Sequence, residues 1–205
     1  MNMDRRPAHA DIHRDVFAFH VPRGQSADTL RAALARIELN DTPVRRLAVV
    51  GCMAGSGRSF VAANLAVLLA QSGQRTALID AARERPRQHL LFGLSSIDTA
   101  STATTVPRLT VVTGTETQPS LADTLIEAPA QFAQAMTELG RKYEYILIDT
   151  SAHPSDLDAI SAGNLSDGAL LIVQRGITPV HRLRTLTDRL RESGTRVLGT
   201  LLIEE

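Results

Sequence analysis

The chain is poor in the features that would make its function obvious. It holds one cysteine in 205 residues, which excludes an internal disulfide framework and fits a reducing compartment. It carries no excess charge: Lys+Arg and Asp+Glu are 22 each, which argues against binding nucleic acid or another polyanion by bulk charge. No apolar run approaches the roughly 18 residues needed to cross a membrane. The opening MNMDRRPAHADIHRD lacks the apolar centre of a signal peptide. Its six histidines, at 9, 13, 20, 89, 153 and 181, show no metal-ligand spacing. There is no internal repeat.

What remains is an alternation of short apolar runs and amphipathic stretches. Strands are predicted at 46–51, 75–80, 109–113, 144–149, 169–174 and 196–203. Helices are predicted at 26–39, with Ser26 as cap, and near 59–71, 120–140, 154–162 and 179–192. Residues 95–106 contain few bulky apolar side chains and read as a loop. Continuously apolar strands separated by helices imply an α/β fold, a doubly wound and mostly parallel sheet covered on both faces. The length suits a single domain. Residues 1–25 are polar and irregular and read as a flexible arm, which leaves 26–205 as the domain.

Residues 46–59, RLAVVGCMAGSGRS, are the most informative stretch. An apolar strand runs into a glycine-rich turn and straight on into a helix, the context a phosphate-binding loop requires. Gly55, Ser56, Gly57, Arg58 and Ser59 are therefore the candidate phosphate-binding residues. Backbone N–H groups and the helix N-terminus would face the anion. The standard pattern has Lys where this chain has Arg58, and Gly where it has Cys52. Asp80 and Asp149 each stand at the end of a predicted strand, where such sheets bind ligands. With Ser59 they form the candidate Mg²⁺ set, and the two acids are the candidate catalytic pair.

The segment AGSGRSFVAANLA (54–66) resembles the PGEGKSTTAANLA segment of bacterial tyrosine kinases, P-loop relatives of the MinD/ParA ATPases. GQRTALIDAARERPRQHLLFGL (73–94) resembles that family's GKRVLLIDADLRRPSLHKLFGL. The likeness resumes at 109–125, at YEYILIDTSAHPSDLDA (143–159) with Asp158 as a further acid, and at 167–178 and 197–203. It implies a P-loop NTPase-like fold with ATP and Mg²⁺ as cofactors. It also implies a cytoplasmic location, peripheral to the inner membrane through the cytoplasmic end of a polysaccharide co-polymerase, and self-association.

The departures cluster at the chemistry. The loop Lys is Arg58, and the second acid of the family's D-x-D is Ala82. Ser151-Ala152 stand for Pro-Pro, and Ile203 stands for the Asn that would read adenine. The assembly pattern E-x-x-R-x-x-R survives only as Asp28, Arg31 and Leu34, and no tyrosine-rich run precedes Glu205. Tyr143 and Tyr145 adjoin a strand and read as packing residues, Cys52 as a small apolar filler, and His89 as structural. The basic run 83–87 and the helix 181–192 read as solvated surface. The expectation is a pseudokinase-like partner in exopolysaccharide or capsule export. The alternatives are an active ATP-dependent tyrosine autokinase or ATPase of the same pathway, and a MinD/ParA-type positioning ATPase, the last weakened by Met53 at its signature Lys.

Overall fold

The computed structural model describes residues 12–39, 41–82, 85–94, 101–113, 121–151 and 156–204. Seven strands form one sheet: β1 Arg46–Val50, β2 Thr76–Ala81, β3 Ser101–Ala103, β4 Leu109–Val112, β5 Tyr145–Thr150, β6 Gly168–Gln174 and β7 Val197–Ile203. Their order is β3-β4-β2-β5-β1-β6-β7, and β3, paired with β4, is antiparallel. The helices are α1 Phe17–His20, α2 Gln25–Glu38, α3 Arg58–Gln71, α4 Gln88–Leu91, α5 Leu121–Glu127, α6 Pro129–Lys142, α7 Leu157–Asn164 and α8 Val180–Glu192.

The period-two alternation of the strands builds two cores from one sheet. Leu47 and Val49 of β1 face a cluster containing Leu147, Ile172, Ile37 and the apolar side chains of α3. Ala48 and Val50 face the opposite cluster, with Ile146, Ile148, Met136, Ala162, Leu186 and Leu190. The central strands β1 and β5 therefore need apolar residues at nearly every position, and β5 is buried along its whole length. β2, β5 and β1 lie side by side at the centre, so their carboxyl ends converge at one edge.

Four details depart from the sequence reading. First, residues 12–25 do not form an arm: Ile12, Val16 and Ala18 are buried in the same cluster as α3, and α2 starts at Gln25. The cause is polar stitching. Asn64 accepts from the Ala18 N–H at 2.8 Å and donates to the Asp15 carbonyl at 2.9 Å, and Gln71 donates to the Ala18 carbonyl at 3.0 Å. Residues 1–11 lie outside the described residues. Second, α2 is preceded by Gly24, not capped by Ser26, and its start carries no side-chain cap bond. Third, the predicted helix 120–140 is two helices, because Ala128, restricted by the following Pro129, takes φ −139 and ψ 53. Fourth, the predicted loop at 95–106 contains β3, whose partner β4 supplies the order that its own side chains do not; residues 95–100 lie outside the described residues.

Candidate functional site

The strand β1 ends at Val50, and the backbone then wraps over the end of the sheet into α3. The wrap depends on two left-handed residues, Gly55 at φ 76 and Gly57 at φ 77, a region that costs other residues energy. Gly57 is the residue immediately before α3, so the N-terminus of a 14-residue helix opens on the loop. A cleft of about 300 Å³ lies over it, lined by Ser56, Gly57, Arg58, Ser59, Arg85 and Arg87 among others.

The two strand-end acids come together as expected. Asp80 and Asp149 are register partners across β2 and β5, and both side chains are buried. Asp80 Oδ2 accepts from the backbone N–H of Arg87 at 2.9 Å and of Gln88 at 2.8 Å, and Oδ1 accepts from Ala82 at 3.2 Å. Asp149 Oδ2 accepts from the Gln88 amide at 2.8 Å, and the Ser59 hydroxyl bonds the same carboxylate. Burial pushes the Asp80 carboxyl up to about 7, helped by the Asp149 charge and opposed by its three backbone donors. Burial also raises Asp149, against the Gln88 and Ser59 bonds and the charge of Arg58.

Arg58 is turned inward. Its guanidinium is buried and donates to the Gly51 carbonyl at 2.9 Å, on the strand side of its own loop. Burial lowers its pKa, and Asp149 opposes that shift. Ile203 of β7 reaches the loop from the other side: a Cβ added to Gly57 would lie 2.2 Å from its terminal methyl.

These residues fit one part of a magnesium nucleotide. The glycine turn, the helix N-terminus and the buried, unpartnered Ser56 hydroxyl suit a phosphate. The acids are partly taken up by the protein's own donors. Asp80 accepts from three backbone N–H groups, and the Gln88 amide holds Asp149 Oδ2. Asp149 Oδ1 and Gln88 Oε1 are buried without a partner in the structure. Among the described residues no cluster of three His, Cys, Asp or Glu side chains has metal-binding geometry.

Gln88 escapes sequence reasoning because it lies outside every motif; its signal is its place opposite a Leu in the resembled segment 73–94. Asp15, which also lines the cleft, carries no signal of this kind. The remaining candidates fall as their chemistry suggests. Cys52 is buried, and burial raises its thiol pKa. Tyr143 and Tyr145 are both buried; Tyr145 donates to Glu38 at 2.5 Å, accepts from Arg45, and has a pKa pushed up to about 12, mainly by burial. Asp158 accepts from the Ser151 hydroxyl and is a buried tie rather than an open acid. Asp28 and Arg31 pair with each other on the exposed side of α2 at 2.8 Å. Ala152 and His153 lie outside the described residues, as do Arg83 and Glu84 of the basic run.

Fold and loop together define a P-loop NTPase-like α/β protein. The chain belongs to the CobQ/CobB/MinD/ParA nucleotide binding domain family, whose model matches residues 47–202. Its relatives include the tyrosine-protein kinase YwqD of Bacillus subtilis, 26% identical across 93% of this chain and 86% of that protein. Another is the succinoglycan biosynthesis transport protein ExoP of Rhizobium meliloti, 29% identical across 88% of this chain and 25% of ExoP. Among solved structures, the BceF tyrosine kinase domain is 26% identical, with a TM-score of 0.77 over 91% of this chain and 81% of that one. Among the described residues no helix is long and apolar enough to cross a membrane.

Proposed function

We propose that this chain is a catalytically degenerate, tyrosine-kinase-like protein that acts by contact in exopolysaccharide or capsule biosynthesis and export. It docks on the cytoplasmic end of a membrane polysaccharide co-polymerase. One observation carries the reading: the charged groups of the site are engaged with the protein itself. Arg58 serves the Gly51 carbonyl, Asp80 serves the backbone of α4, and Asp149 serves Gln88. Phosphoryl transfer needs such groups aimed at the phosphates and the metal. The tyrosine kinases and the succinoglycan transport protein among its relatives supply the pathway. The fold does not depend on the site, because its cores are filled by aliphatic side chains whose burial, at ~25 cal/mol per Å², needs no ligand.

The test has two arms. Purified protein with ATP and Mg²⁺ should turn over far below the ~1 s⁻¹ floor of kinases. Arg58→Lys should restore nucleotide binding only in part, because Ala82 and Ile203 remain. In the native host, Arg58→Ala should leave polymer export nearly intact, while gene deletion or charge reversal on α2 should abolish it. An Arg58→Ala phenotype equal to the deletion would establish the second reading, an ATP-dependent tyrosine kinase. That reading draws on the intact glycine geometry and the unpartnered Ser56 hydroxyl.

A further inference from the structure

Gln88 is fully buried at the centre of the site and is fixed from three directions. Its amide nitrogen donates to Asp149 at 2.8 Å and to the Ser59 carbonyl at 3.1 Å. Its backbone N–H is held by Asp80 at 2.8 Å. Both acids and the first turn of α3 therefore close on one neutral side chain. A hydrated Mg²⁺ at such a site needs the carboxylate or its waters to face it at about 2.0–2.1 Å, with near-octahedral room. The Gln88 amide takes one of the two Asp149 oxygens, Oδ2. Its N–H carries partial positive charge, so it meets the same electrostatic need of Asp149 without an ion. Arg85 and Arg87 line the cleft over the loop, and there they provide the positive charge that a metal would otherwise bring to a polyphosphate.

We propose that the Gln88 carboxamide is a built-in replacement for the divalent cation, so that this loop takes a nucleoside triphosphate or similar polyphosphate as the metal-free anion. This rests on the reading of the site as a degenerate phosphate loop, and it names the ligand form that the loop accepts. Gln88 is a specificity-determining residue here, and no bond is made or broken.

Two titrations on the full chain test it. A fluorescent ATP analogue is titrated in Mg²⁺ and again in EDTA. Free Mn²⁺ is followed by its EPR signal as protein alone is added. The wild type should bind the analogue equally, within about twofold, in both buffers and leave the Mn²⁺ signal unchanged. Gln88→Ala and Gln88→Leu should each bind the analogue at least about tenfold tighter with Mg²⁺ than without and should deplete free Mn²⁺. The leucine variant guards against misfolding, because Leu is the residue of the resembled segment at that place. The inference falls if the wild type gains tenfold from Mg²⁺ or depletes Mn²⁺. It falls equally if both variants match the wild type in both titrations, binding or not. Neither titration reads turnover or polymer export, so failure of the docking role is seen in the host alleles and failure of the Gln88 assignment here.

Discussion

Gly57→Ala measures how firmly β7 seals the phosphate loop. At φ 77 an alanine pays about 1–2 kcal/mol for the left-handed backbone. Its Cβ would also lie 2.2 Å from Ile203 Cδ1. That methyl ends a side chain and can swing about χ2, so the overlap sits near the low end of the overpacking range, about 1 kcal/mol. It does not vanish, because the Ile203 backbone is pinned by its register with Gln174 and by the Arg175 N–H at 2.9 Å. The single variant should therefore lose about 2–3 kcal/mol. In an Ile203→Ala background the methyl is gone, and Gly57→Ala should cost only the backbone part. The coupling is then about 1 kcal/mol, above the ~0.5 kcal/mol scatter of independent sites. Urea unfolding of the four proteins, compared at a common m value, gives the cycle. Additivity within that scatter would show that Ile203 and the loop do not touch, and the account of a sealed loop would be wrong.

Two further outcomes are expected. Asp80 holds a proton in the folded state up to about pH 7, whereas an unfolded Asp releases it near 3.8. Between these values the folded chain binds more protons, so its contribution to stability is complete below about pH 4 and is lost as pH rises through 7. The full effect is at most about 4 kcal/mol. Asp80→Asn should lose less stability than wild type between pH 5 and pH 8 by more than about 1 kcal/mol in urea melts, and equal losses would contradict the shift. Asn64→Ala should cost about 1–3 kcal/mol, because it orphans the Ala18 N–H and the Asp15 carbonyl. Amide exchange at residues 16–21 should quicken first, and protection unchanged there would mean that the segment is held by something else.

The central strands were legible because β1, β2 and β5 each pair an uninterrupted apolar run with a glycine turn or an acid at its end. That pattern gives the sheet, its two covered faces and the meeting of Asp80 with Asp149. What escaped reading has no periodic signal. Segment 12–20 mixes polar and apolar residues, and it packs because Asn64 and Gln71 reach out to its backbone. Pro129 sits inside an apparently continuous helical stretch, and only the restriction on Ala128 reveals the break. Asp80 and Asp149 were readable as a pair of acids, but their partners were not. A one-turn helix such as α4 sets the direction of Gln88 through its tertiary contacts, which spacing along the chain cannot supply.

The stitching of residues 12–20 has a mechanical meaning. Asn64 and Gln71 are seven residues apart, about two turns along one side of a rigid rod whose first residue is Arg58. The N-terminal segment is thus bolted to α3 at two points, while its Asp15 overhangs the cleft at the rod's other end. A tilt of that rod carries the segment with it, as a pointer follows its needle. A partner that clasps residues 12–20 would press on the loop end of α3 without entering the cleft.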